Sequence, residues 1–178
     1  MINPPGVGTA RGMVVIVWIT ESTWEACVEH VNAVIPEDAA VRLVHISPSE
    51  VEDLVEEGAG GLLGRRPAPA PERAVRAIAA AEAHALLESA LARLSRPATL
   101  EALRGRPERE LLRACADADV LLVARDREPR LGPKSLSHET RFIVDHCPCA
   151  VMLIWPLRPP GPDTVKLPPH LRGERRRP

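Results

Sequence analysis

Residues 13–19 read MVVIVWI, seven apolar side chains in a row and most of them β-branched. A strand with one wet face alternates apolar and polar residues; a strand covered on both faces does not. The run therefore predicts an inner strand of a parallel sheet. Similar blocks recur at 40–47 (AVRLVHIS), 120–124 (VLLVA) and 149–155 (CAVMLIW), with a weaker one at 98–103 (ATLEAL). Helical patterns lie between them. Trp24, Cys27, Val28, Val31, Val34 and Ile35 share one face, Ser22 or Thr23 can cap that helix, and Pro36 closes it. An Ala-rich helix is predicted over Glu72–Leu94, stopped by Pro97. Another follows Gly105 with Leu111, Leu112 and Cys115 facing inward. A last one runs over Leu136–His146 and ends at Pro148. Strands alternating with helices predict an α/β chain: a single doubly wound domain with a five-stranded parallel sheet, order 3-2-1-4-5, and helices on both faces. Ligands of such sheets sit beyond the carboxyl ends of the strands.

The domain is expected over residues 13–156. Residues 1–12 and 58–71 are Gly/Pro-rich and read as a flexible N-terminus and a flexible loop, the latter after a short acidic helix. Residues 157–178 read as a Pro-rich, basic, disordered tail. That tail holds six Lys and Arg against two Asp and Glu, in a chain of 178 residues with net charge −1. The balance excludes a strongly basic nucleic-acid binder. Aromatic residues at 2% exclude a base-stacking platform. No apolar run is long enough to span a membrane, and no cleavage site follows residue 19, so a cytoplasmic protein is expected.

Candidate chemistry is sparse. Cys27, Cys115, Cys147 and Cys149 form no CxxC pair and no zinc spacing, so free thiols and no metal site are expected. His138, His146, Cys147 and Cys149 lie close in sequence, but Pro148 separates the two thiols at a helix–strand junction, so their side chains need not converge. His45, inside a strand, reads as packed or hydrogen-bonded. Gly132-Pro133-Lys134-Ser135 resembles the end of a P-loop, yet Arg127 holds the place of the first glycine and Pro133 removes an N–H that phosphate would need. No Gly-x-Ser-x-Gly elbow supports acyl transfer, and no catalytic residue is assigned. The acidic cluster at 50–57 reads as a solvated face. The terminal RGERRRP reads as a solubilising tail.

Three segments together carry a resemblance. Asp117-Ala118-Asp119 runs into Val120-Leu121-Leu122-Val123. Pro148-Cys149-Ala150-Val151 opens the last strand. Gly105-Arg106-Pro107 precedes Glu110-Leu111-Leu112. In order and spacing, over about Met13–Trp155, they resemble the universal stress protein family. ATP-binding members of that family carry Gly, two residues, Gly, nine residues, then Gly-Ser or Gly-Thr. Those positions fall on Ala124, Arg127 and Ser137-His138: the spacing holds and every glycine is gone. The family's adenine-side Asp falls near Thr20, and its adenine-pairing backbone near Ile46. If the loop kept its geometry, each non-glycine residue in left-handed conformation would cost roughly 1–2 kcal/mol.

The resemblance thus implies a stress-response or regulatory binding module, not an enzyme, with a degenerate ATP motif and weak or no ATP binding. Arg side chains would fill its cleft. The alternative is a nucleotide-binding member, with slow ATPase activity left open, using Arg127 and Ser137 on the phosphates of ATP or another adenine nucleotide. A third reading is an adaptor that takes a protein partner through the acidic segment or the tail. The resemblance also implies a homodimer through the last strand, Ala150–Trp155.

Overall fold

The computed structural model describes residues 12–48, 70–129 and 131–161. The expected N-terminal segment (1–12), the acidic segment and most of the loop (58–71), and the tail beyond residue 161 lie outside those residues, apart from their edges. Five strands form one parallel sheet: β1 (Val14–Trp18), β2 (Ala40–Ser47), β3 (Ala98–Arg104), β4 (Val120–Ala124) and β5 (Ala150–Ile154). The order is β3-β2-β1-β4-β5, as the alternating pattern predicts. The helices are α1 (Trp24–Val34), α2 (Ala70–Arg93), α3 (Pro107–Ala114) and α4 (His138–His146).

Both faces of the sheet are covered, and the residues of β1 divide between them. Val15, Val17 and Ile19 pack with Cys27, Val28 and Val31 of α1 and with Leu87 and Ala90 of α2. Ile16 and Trp18 face the other way, with Val44, Leu111, Cys115, Leu121 and Ile143. Each fully buried Val, Leu or Ile contributes roughly 1.5–3 kcal/mol on leaving water. This two-sided burial explains why β1 shows no alternation. The edge strand β3 has no fully buried position, and its sequence signal is correspondingly weak.

Burial alone does not hold β3 in register. Arg42 on β2 grips Glu101 on β3 with both carboxylate oxygens engaged, Nε to Oε1 at 2.6 Å and Nη2 to Oε2 at 3.0 Å. Its Nη1 reaches Asp117 at 2.9 Å, just before β4. Two-pronged Arg–carboxylate geometry is the strong form of the ion pair.

Local expectations need three adjustments. Thr23 is the N-cap position of α1, but its hydroxyl pairs with the Thr20 hydroxyl at 2.6 Å and makes no capping bond. Leu112 is only half-buried, because α3 turns it toward the cleft described below. The last helix begins at His138 and not at Leu136: Ser137 caps it, accepting from the Thr140 N–H at 3.1 Å. His45 is hydrogen-bonded as expected, its Nδ1 lying 2.8 Å from the Ile19 carbonyl.

Candidate functional site

The carboxyl ends of the strands open into a cleft of about 1220 Å³. Trp18 and Thr20 come from the end of β1, and Pro48 from the end of β2. Gly105–Arg109 form the turn from β3 into α3. Asp126 and Arg127 follow β4, and Ser137–Glu139 start α4. The turn at Gly105 needs a glycine: φ is +145°, and a Cβ there would meet Glu110 Cγ at 2.9 Å.

Of the six family positions, four line this cleft: Thr20, Arg127, Ser137 and His138. Arg127 and His138 are exposed, Thr20 is half-buried, and Ser137 is buried. The other two do not present side chains to it. Ala124 and Ile46 are 4% exposed and belong to the two packed faces.

The loop between β4 and α4 is rebuilt, not strained. Among the described residues no non-glycine residue has positive φ, so Ala124, Arg127 and Ser137 do not copy the left-handed geometry of a glycine. The strain cost expected from the glycine losses is therefore absent. Among the described residues of this loop, the left-handed position is Gly132, φ +109°, which opens a short 3₁₀ turn, Pro133–Ser135. The P-loop-like segment makes that turn: Lys134 points to solvent, and the buried Ser135 hydroxyl donates inward to the Gly132 carbonyl at 2.8 Å. The Arg127 N–H also turns inward, to the Ser135 carbonyl at 3.3 Å.

The residue that organises the loop is Asp126. Its Oδ1 accepts the Ser137 N–H at 2.7 Å, and its Oδ2 accepts the Thr140 hydroxyl at 2.8 Å. Ser137 and Thr140 are themselves buried. A carboxylate thus sits at the positive end of α4, where N–H groups and the helix dipole favour an anion. The place that a phosphate would take at this terminus is filled by the chain itself.

An arginine does pack into the loop, but it is Arg125 and not Arg127. Its guanidinium lies 4.5 Å over the Trp155 ring and donates to the Ser135 hydroxyl. Burial holds its pKa below the ordinary arginine value. The ring contact offsets part of that desolvation.

At the amino ends of the strands, the far side of the sheet from the cleft, the thiols converge after all. Cys147 and Cys149 Sγ are 3.5 Å apart. Cys115 joins them, with all three sulfurs within 4.8 Å of one another. The sequence left open whether these side chains converge across Pro148; they do, because the chain bends there. Cys115 is raised above its ordinary pKa by burial and by its sulfur neighbours. Cys149 is pushed up to about 11 by burial first and by Cys147 next. The histidines stay out: His138 lines the cleft, and His146 stacks on Phe142 with Nδ1 at 2.8 Å from its carbonyl.

This architecture has known counterparts. A universal stress protein, UspA from Lactobacillus plantarum, superposes with a TM-score of 0.55 over 82% of this chain and 99% of its own, at 16% identity. The chain has the universal stress protein fold. Hypothetical protein MJ0577 has the same fold, with a TM-score of 0.60 over 80% of this chain and 95% of its own, at 16% identity. A universal stress protein in complex with cAMP matches at 0.52 over 83% of this chain and all of its own, at 11% identity. No family model matches the sequence, and no curated protein does. Sequence divergence within this fold is thus deep, at 11–16% identity, while the fold persists.

Asp126 was missed at the level of sequence. A signal was available: an acidic residue inside a loop of phosphate-site length, eleven residues before a Ser-x-x-Thr helix start.

Proposed function

We propose that this chain is a stress-response or regulatory binding module of universal stress protein type, cytoplasmic and without turnover. Its β4–α4 loop does not take the phosphates of ATP in the family's manner. The Asp126 carboxylate on Ser137 N and Thr140 Oγ1 carries this reading. A phosphate charge about 4 Å from that carboxylate would be repelled by roughly 4 kcal/mol at an effective dielectric near 20. That corresponds to about three decades of affinity. A ligand must therefore avoid the α4 terminus or displace Asp126 from it.

A second reading keeps an adenine nucleotide in the same cleft. Its support is the open volume lined by Arg106, Arg109 and Arg127, and the cAMP complex of a protein with this fold. In that case Arg127, not the loop backbone, meets the phosphate as a two-pronged fork. Calorimetry with ATP, AMP and cyclic AMP separates the two. The first reading expects no heat of binding at millimolar ligand. Tight binding that Arg127→Ala abolishes would establish the second.

The outer edge of β5 supports a homodimer. It is the last strand of the sheet, apolar along Ala150–Ile154, and its Val151, Met152 and Leu153 are only half-buried. Uncovered strand edges pair readily.

A further inference from the structure

We infer that Cys115, Cys147 and Cys149 form a binding site for a soft monovalent cation, Cu(I), held by three cysteine sulfurs. The sheet topology brings them together. Cys115 opens the 3₁₀ turn Cys115–Asp117 just before β4, and Cys147 and Cys149 flank Pro148 just before β5. β4 and β5 are parallel neighbours starting in register, Val120 opposite Ala150. Their entry segments therefore run side by side, and the sulfurs meet beneath α3 and α4. The site lies at the opposite end of the sheet from the cleft and shares no residue with it.

The spacing suits a metal. With metal–sulfur bonds of about 2.3 Å, ligand sulfurs sit roughly 3.8–4.0 Å apart. The sulfurs here lie between 3.5 Å and 4.8 Å. Binding thus needs side-chain adjustments of about an ångström at most. Cys115 is 1% exposed and forms the floor; Cys147 and Cys149 are half-buried and leave a way in from solvent.

The donor set selects the ion. Soft sulfur-only sites favour Cu(I), zinc and iron–sulfur clusters. Structural zinc closes with four protein ligands, and iron–sulfur clusters use four. Among the described residues, no fourth His, Cys, Asp or Glu ligand atom joins the trio. His146, next to Cys147, is engaged with Phe142. Cu(I), a closed-shell d¹⁰ ion, is satisfied by three sulfurs in a plane. As each copper–sulfur bond forms, its S–H proton passes to the buffer. Copper enters and remains Cu(I), so no electron is transferred.

The test uses the full chain, reduced and anaerobic, titrated with Cu(I) against a bathocuproine chelator. One tightly held equivalent is expected, with an ultraviolet sulfur-to-copper charge-transfer band and three sulfur neighbours by X-ray absorption. Cys115→Ser and Cys149→Ser should each weaken binding by about a hundredfold or more, since loss of a mere supporting partner already costs 10–100-fold. Cys27→Ala, on the other face of the sheet, should leave it unchanged. Circular dichroism checks that each variant folds, and Cys149→Ser, at the half-exposed position, stands in if Cys115→Ser does not. The proposal fails if wild type holds copper no better than the variant lacking all three thiols. It also fails if the folded single variants bind as tightly as wild type, or if one Zn(II) is retained in preference to Cu(I).

Discussion

Replacing Asp126 by Ala should do two opposite things. It removes the acceptor for the Ser137 N–H and for the Thr140 hydroxyl, both on buried residues. Hydrogen bonds to a charged group are worth about 1.5–3 kcal/mol each, and a charge at a helix N-terminus adds roughly 0.3–1. Asp126 is half-buried, so water can replace part of what is lost; about 2 kcal/mol is the expected net cost. For a domain of this size that lowers Tm by roughly 6 °C. The same change vacates the anion position at α4. If phosphate then binds with a Kd of about 5 mM, 50 mM phosphate returns RT ln 11, about 1.4 kcal/mol, to the variant and nothing comparable to wild type. Asp126→Asn keeps one carbonyl acceptor and should lose less. The assay is thermal unfolding of wild type and both variants, with and without phosphate at matched ionic strength. An unchanged Tm in Asp126→Ala, or a loss that phosphate does not repair beyond its effect on wild type, would refute the reasoning.

Three other outcomes follow from the geometry. Gly105→Ala should cost about 1–2 kcal/mol in urea unfolding, because a Cβ there is held at positive φ and meets Glu110. Burial pushes the Cys27 thiol from its ordinary 9.0 up to about 12. Its stabilising contribution is thus complete below pH 9 and lost between pH 9 and 12, by up to about 1.4 kcal/mol per pH unit. Cys27→Ala should flatten that alkaline slope in unfolding curves taken at pH 8 and 10.5. Light scattering at micromolar concentration should give a dimer of the 19.4 kDa chain; a clean monomer would remove the β5 pairing.

The fold was legible because its strands are covered on both faces. Continuous runs such as Met13–Ile19 and Val120–Ala124 leave no periodicity to misread, and alternation with helices leaves few topologies. The cleft was legible as a location, since a doubly wound sheet puts ligands at the carboxyl ends of its strands. Its chemistry was less so. Counting family spacing found Thr20, Arg127, Ser137 and His138 at the cleft, but it drew attention to the missing glycines and away from Asp126, whose partners lie eleven and fourteen residues onward. The thiol trio was hidden for another reason. Spacing rules for metals compare residues along the chain, whereas Cys115 meets Cys147 and Cys149 only through the β4–β5 pairing. The strand order, once inferred, implied that juxtaposition.

The Asp126 cap also bears on how the protein would sense its surroundings. A loop that closes on a bound nucleotide gains stability from that nucleotide, so the folded population rises and falls with its concentration. A loop closed by a side chain three bonds from its own backbone has an anion whose local concentration never changes. Under the proposed function its order is set by the sequence, not by the energy charge of the cell. Such a domain would persist unaltered through the nucleotide depletion that accompanies starvation.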